Sequence, residues 1–365
     1  MQNSSLIKLF AVLTVVIFVT VAMLNFWKSN APETAKVAPI LTKAADDSAS
    51  YKPSAPRAVK PMQEQESDDA GLLKLPLDKV EAWLAKHNRN AMSLLAAFRA
   101  MDDTNYLNEA ATNFPNDPRV ELTVLARDGF PADRRKWLDL FKASSPSNSL
   151  ANYFSAQEYF KSGKTDEAVQ ELLAASGKSQ FDNHAVETQL DAEQLYLDSG
   201  KSPLEAATYA LSSMAKDNLP ELATIKQVAG GIRDLMQQKS EAGDADSVAN
   251  LAQMGLAIAD KLNSGDSGKY LINQLVGMAT VSIALSQLNQ NTAYDFLGGQ
   301  TPAQVLAGLK RQKTEFSQLH SNFSAAQLQM NEAEMTSYTQ RMKIYGEIEA
   351  MKWLIEQHPP ADPAK

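Results

Sequence analysis

A short helix–turn–helix pattern in the middle of the chain limits the folds that this sequence can adopt. Residues 155–175 read SAQEYFKSGKTDEAVQELLAA, which predicts a helix, a Ser-Gly-Lys turn and a second helix. The segment YFKSGK at 159–164 returns as YLDSGK at 196–201, with Tyr, Ser, Gly and Lys in register. A repeat of this length is typical of proteins built from stacked helical hairpins.

The rest of the chain, from Leu77 onward, is also predicted to be helical. Helix start signals recur, with Ser202 before Pro203 and Thr301 before Pro302, and no alternating run of β-branched residues indicates a strand. The fold class is therefore predicted to be all-α over residues 76–358. The expected helices are 90–101, 106–114, 119–126, 133–142, 150–161, 166–175, 185–198, 203–216, 222–240, 246–262, 270–288, 301–319 and 331–357.

The hairpin at 149–182 resembles a tetratricopeptide repeat, a pair of helices with small and aromatic residues at fixed places. The matching residues are Ala156, Tyr159, Gly163, Ala168 and Ala175, whereas Gln180 stands where such repeats often have proline. The neighbouring units match more loosely, so the resemblance covers a quarter to a third of the chain. It implies a right-handed α-solenoid that binds proteins or extended peptides on its inner surface. The long C-terminal helices depart from it, with a possible boundary near 290–300.

The repeat register also predicts which residues would face a partner. In the best-matching unit the first helix would present four side chains to the groove, and its neighbours would add five. The predicted partner-binding residues are Tyr153, Gln157, Phe160, Lys161, Gln194, Leu197, Asp198, Arg119 and Arg127. Aromatic residues and arginine are enriched at binding hot spots, and the positive charges suit an acidic peptide. The alternative is that Tyr153 and Phe160 are core residues.

The N-terminal region is predicted to tether the protein to a membrane. After a short tail, residues 1–8, the segment 9–27 has no charged residue and would form a helix of roughly 28 Å, close to the thickness of a bilayer core. Cleavage as a signal peptide, which would release a secreted helical protein, is the competing interpretation. Residues 28–75 and 359–365 are predicted to be a disordered linker and tail.

Two opposing sequence signals bear on which side of the membrane the helical domain, residues 76–358, lies. A signal anchor at the extreme N-terminus favours a periplasmic or extracellular body. The lysines of residues 28–43, counted against Lys8, favour a cytoplasmic one. The first arrangement is the one we expect.

Composition and the absence of known motifs reduce the number of functions that this chain can have. A net charge of −8 disfavours nucleic-acid binding, and the absence of cysteine excludes disulfides and thiolate catalysis. The Ser-Gly-Lys turns lack the earlier glycine of a phosphate-binding loop, and the four histidines form no recognisable metal motif. No cofactor and no metal are therefore expected. The predicted function is a membrane-anchored interaction scaffold, and the alternative is a cell-envelope enzyme whose site is invisible in the sequence.

Overall fold

The computed structural model of the chain describes residues 75–360, apart from the side chains of 214–219. The predicted anchor at 9–27, nearly all of the predicted linker and residues 361–365 lie outside the described residues. Within 75–360, no helix combines the length and the apolar character needed to cross a membrane.

The described part of the chain is all-helical, as predicted, and contains no strand. The α-helices are α1 (Leu77–Lys86), α2 (Ala91–Met101), α3 (Thr104–Asn113), α4 (Pro118–Ala126), α5 (Arg134–Ser144), α6 (Leu150–Lys161), α7 (Thr165–Ser176), α8 (Ala185–Asp198), α9 (Pro203–Glu241), α10 (Ala245–Asn263), α11 (Leu271–Ala284), α12 (Pro302–Gln327), α13 (Glu332–Tyr345) and α14 (Glu347–Gln357). Short 3-10 turns precede α5 and α11 and lie in the α11–α12 connection.

Local capping explains why several helices start where the sequence predicts. The Ser202 hydroxyl accepts a hydrogen bond from the backbone N–H of Glu205, and the Glu205 carboxylate accepts one from the backbone N–H of Ser202. Two backbone donors at the start of α9 are thereby satisfied. Thr301 with Gln304 does the same for α12. The hairpin of α6 and α7 also falls within one residue of its predicted bounds.

Several predicted helix boundaries are wrong, among them the end of α11, which is at Ala284 and not at residue 288, and the end of α12, which is at Gln327 and not at residue 319. Helix α9 runs without interruption for 39 residues through Pro220, where the sequence suggested an end after residue 216. A proline inside a helix costs about 3 kcal/mol, but α9 is buried on both sides of it, at Ala206 and Ile225 for example. The expected single helix 331–357 is instead two helices, because Gly346 between α13 and α14 adopts a φ of 92°.

The apolar side chains form three main cores. The first joins α1–α5 to the start of α6 and to parts of α8 and α9. The second joins α6, α7, the C-terminal half of α9, α10 and α11. The third joins α12–α14 and is completed by Leu204 of α9 and Leu271 of α11, so the C-terminal helices share their core with the rest of the protein.

Helix α9 is the element that organises these cores. It packs against α6, α8, α10 and α11, and it also contacts α4 and α13. Helix α8 in turn packs against α2, far from it in the sequence. A regular solenoid makes contacts only between neighbouring repeats. In this chain the longest helix, α9, instead contacts α4 and α6, which lie much earlier in the sequence.

Candidate functional site: an arginine-lined cleft

The predicted groove on α6 is covered by α9. Tyr153 is 1 % exposed and Gln157 is 5 % exposed. The Gln157 amide donates a 2.8 Å hydrogen bond to the Gln227 side chain of α9, and the Phe160 ring packs against the backbone of Gly231. The prediction that Tyr153 and Gln157 line an open groove is therefore wrong, and Phe160 belongs to the second core.

The other predicted residues on α6 and α8 stay near the surface. Lys161 has a 56 % exposed side chain. The Gln194 amide donates to the Asp198 carboxylate at 2.8 Å, and Asp198 also accepts from Lys86 of α1 at 2.7 Å. Leu197 is half-buried against the first core. Their role in partner binding stays a prediction.

The structure does bring two of the predicted residues, Arg119 and Arg127, into one cleft. It lies between α2, α4 and the start of α8, with one wall from α9, and its enclosed volume is about 20 Å³, which is room for about one water molecule. The lining residues are Arg99, Arg119, Leu122, Thr123, Ala126, Arg127, Asn183, His184, Ala185, Thr188 and Glu221. Three arginines and one glutamate line the cleft, and the carboxylates of Asp117 and Asp191 lie against Arg119, so the formal charges of the site balance.

Arg119 is held in the cleft by two acidic residues. Its Nε and Nη2 donate to the two Asp117 carboxylate oxygens at 3.2 and 2.9 Å, and its Nη1 lies 3.9 Å from Asp191 Oδ2. Burial opposes the charged form of Asp117, but hydrogen bonds from Arg119 lower the pKa of Asp117 overall. Burial raises the pKa of Asp191, and the charge of Arg119 offsets this only in part. Arg119 therefore already binds a carboxylate of the protein itself, that of Asp117, through two hydrogen bonds.

The two other arginines are oriented by their neighbours. Arg99 Nη2 donates to Thr123 Oγ1 at 3.2 Å, and the Arg127 guanidinium lies 5.6 Å above the centre of the Phe98 ring. Both arginines make further interactions inside the protein. A guanidinium has five N–H donors in one plane, so it can hold an internal partner and a ligand together.

The turn that opens α8 supplies the remaining polar groups. His184 has a φ of 54°, its backbone N–H donates to Asp182 Oδ1 at 2.8 Å, and its Nδ1 lies 3.4 Å from Asp182 Oδ2. Its buried Nε2 has no hydrogen-bond partner in the part of the chain that the structure describes. Asp182, His184 and Glu187 have ligand atoms within 4.8 Å of one another. However, the positive charge of Arg119 acts on Glu187 and works against a bound cation.

Sequence reasoning missed Arg99 and His184 as members of this site. Arg99 lies on α2, outside every unit that matched the repeat pattern, and reaches the cleft because α8 packs against α2. His184 precedes α8 in a turn where a capping role explained it. No local signal could have joined them, since their proximity depends on contacts between residues about 85 apart.

The lining combines hydrogen-bond donors with one carboxylate, that of Glu221. Guanidinium groups, a histidine and two threonines offer hydrogen-bond donors around a partly apolar floor of Leu122, Ala126 and Ala185. Comparison of the chain with protein-family models, with curated proteins and with solved structures finds no significant match.

Proposed function

We propose that this protein is an interaction scaffold that binds a protein or an extended peptide of a partner at the arginine-lined cleft. The observation that carries the proposal is the convergence of Arg99, Arg119 and Arg127 from two helices at one concave site. Arginine is over-represented among residues that dominate binding energy, particularly in pockets that exclude water. The resemblance of α6 and α7 to a tetratricopeptide repeat supports the same class of function.

Electrostatics favour a partner with acidic character at this place. The net charge of −8 disfavours non-specific association of the protein with acidic segments. Three arginines at one place offer an anionic segment a point at which to dock, and complementary potentials contribute more to specificity and association rate than to raw affinity. The cleft is therefore the site at which we expect an acidic segment to be held.

The scaffold is proposed to be tethered to a membrane. The apolar segment 9–27 would act as an uncleaved anchor, and residues 28–75 would be a flexible spacer between it and the helical body. The body is proposed to lie on the exoplasmic side, which would be the periplasm in a bacterium. Such an arrangement holds a binding module near the membrane while leaving it free to reach partners.

A photo-crosslinking experiment tests the proposed function. A photoreactive amino acid replaces Ala126, which lines the cleft, or Gln318, which is exposed on α12 and serves as the control position. We expect irradiation of cells to give a discrete protein adduct at position 126 and not at position 318. Adducts that are identical at the two positions, or none at position 126, would contradict binding at the cleft.

A further inference from the structure

Two large apolar side chains are exposed at the end of helix α13. Ile344 is 62 % exposed and Tyr345 is 60 % exposed, directly before Gly346, at which the chain turns into α14. We propose that the α13–α14 corner, formed by Arg341, Ile344, Tyr345 and Trp353, docks on the surface of a bilayer that contains anionic lipids. The inference rests on the membrane tether of the proposed function, because it states how the helical body lies against that membrane.

The residues of the corner form one continuous surface. Arg341, Ile344 and Tyr345 are spaced by three and four residues, so their side chains lie on one face at the end of α13. The Arg341 guanidinium lies 4.7 Å from the centre of the Trp353 ring, which belongs to α14 and is half-buried against the third core. The corner therefore combines an aliphatic side chain, two aromatic rings and a guanidinium group.

The charges near the corner suit an anionic surface. Among the residues that the structure describes, Arg341 forms no ion pair, and Glu349 on α14 is already paired with Lys352 at 2.7 Å. Three cations of α12 likewise form no ion pair within the described residues, namely Lys310, Arg311 and Lys313. The one acid of that helix is Glu315. Lysine and arginine close to a bilayer are attracted by its anionic lipids.

The cations of α12 lie at the same level as the corner. Helices α12 and α13 are joined by the short turn 328–331 and run antiparallel, with the Phe323 and Tyr338 rings stacked at 5.3 Å between centroids. Equal steps from this contact along the two helices bring Tyr345 level with Phe316. Lys313 then lies three residues beyond, roughly 5 Å along the helix axis.

The shape of the corner favours a bilayer over a peptide. Its exposed side chains protrude from a helix end, whereas ligand pockets are concave. A protruding corner can instead enter a surface that deforms around it. Tyrosine and tryptophan are enriched where a membrane meets water, and arginine places its charge among headgroups while its stem stays in apolar surroundings. Because residues 9–27 would keep the body beside the bilayer, even a weak contact suffices to orient it.

Fluorescence of the full-length protein reconstituted in vesicles tests the proposal. The chain has no cysteine, so one introduced cysteine carries an environment-sensitive dye at a single place. Q340C places it on the exposed face of α13 one turn before Ile344, and A174C places it on α7 as the control. The vesicles contain phosphatidylcholine alone or about one third phosphatidylglycerol, with a headgroup-spin-labelled lipid as the quencher. We expect quenching in anionic vesicles to be about threefold or more stronger at position 340 than at 174, and weaker in neutral vesicles.

Two matched pairs of variants locate the contact. I344S combined with Y345S should lower the quenching at position 340 by about threefold or more, whereas L173S combined with L190S, which changes two apolar side chains of similar exposure, should not alter it. R311Q combined with R341Q should remove most of the difference between anionic and neutral vesicles. R233Q combined with K164Q, two exposed cations elsewhere, should keep that difference. The charge variants keep every apolar side chain, so they decide the matter if the serine variant melts at a lower temperature.

Several results would overturn the docking of the corner. Equal quenching at positions 340 and 174, equal quenching in neutral and anionic vesicles, or equal loss in a variant and its control would each do so. A photo-crosslinker at position 340 that joins a protein in cells, without quenching in vesicles, would assign the corner to a protein partner instead.

This inference and the proposed function fail separately. Protein that a carbonate wash releases, but whose dye at position 340 is still quenched by anionic vesicles, keeps the corner and overturns the tether. Protein that stays in the vesicles without quenching at position 340 keeps the tether and overturns the corner. Crosslinking at position 126 reports on the cleft in either case.

Discussion

The amide of Gln157 on α6 donates a hydrogen bond of 2.8 Å to the side chain of Gln227 on α9. This contact marks where the protein covers its own inner surface. A helical-repeat protein of the kind that α6 and α7 resemble keeps that face open for a partner. Here α9 packs on it, Gln157 is almost fully buried, and the candidate binding site lies instead at the cleft beside α2 and α4.

The packing of α9 on α6 predicts opposite effects for two adjacent glycines. A Cβ at Gly231 would come within 2.6–2.9 Å of the Phe160 ring, whereas a Cβ at Gly230 would meet nothing within 4 Å. We expect G231A to lower the free energy of unfolding by about 1–3 kcal/mol through overpacking. G230A should raise it by up to about 1 kcal/mol, because alanine favours the helix. Urea unfolding measures both. Equal effects would refute the close approach of α9.

The α6–α7 hairpin provides a second test of packing. Ala168 on α7 is completely buried, and Ala174 on the same helix is exposed. Replacing Ala168 by leucine should force the close-packed helices apart and cost about 1–3 kcal/mol. The same change at Ala174 should alter stability by less than about 0.5 kcal/mol. A melting temperature unchanged at both positions would show that Ala168 does not have the close-packing role described here.

The buried environment of Glu347 should make the free energy of unfolding depend on pH. Its carboxylate accepts the backbone N–H of Leu271 at 2.8 Å, and so connects the first residue of α14 to the first residue of α11. Desolvation raises the pKa of Glu347, and the hydrogen bond from Leu271 offsets this only in part. The folded state therefore binds a proton more tightly than the unfolded chain. The stability that this proton contributes is fully present below the ordinary glutamate range, and it is lost as pH rises through the folded-state pKa.

The variant E347Q isolates that contribution. Glutamine keeps an acceptor for the Leu271 N–H but carries no titrating proton. Relative to the wild type, E347Q should gain stability as pH increases above the ordinary glutamate range, as measured by urea unfolding at a series of pH values. E349Q, on the same helix and exposed, should run parallel to the wild type. A stability difference between E347Q and wild type that does not change with pH would contradict the raised pKa.

The N-terminal segment predicts behaviour in membranes. If residues 9–27 are an uncleaved anchor, the full-length protein should stay in the membrane pellet after a sodium carbonate wash. Protease added to spheroplasts should then digest the helical body if it lies on the exoplasmic side. A shortened soluble form would show cleavage, and a protected body would reverse the proposed topology.

Local signals located much of the fold. The α6–α7 hairpin, the start of α8 and the capped starts of α9 and α12 follow from turns, caps and apolar spacing, which act within a few residues. The same reasoning failed at Pro220, where burial along α9 outweighs the local preference to end a helix. It failed again at Gly346, where a glycine with a φ of 92° interrupts an otherwise continuous apolar stripe.

Signals between residues close together in the chain therefore specify the helical class and many of the helix boundaries, and they single out Arg119 and Arg127 as candidate binding residues. Contacts between distant residues, which no local signal specifies, place α9 on the inner face of α6 and α8 against α2. Those packings brought Arg99 and His184 beside Arg119 and Arg127. The physical reason is that capping and periodicity are local. By contrast, the apolar face of a helix can be buried against many different helices. Which helix covers it depends on how all the helices pack together.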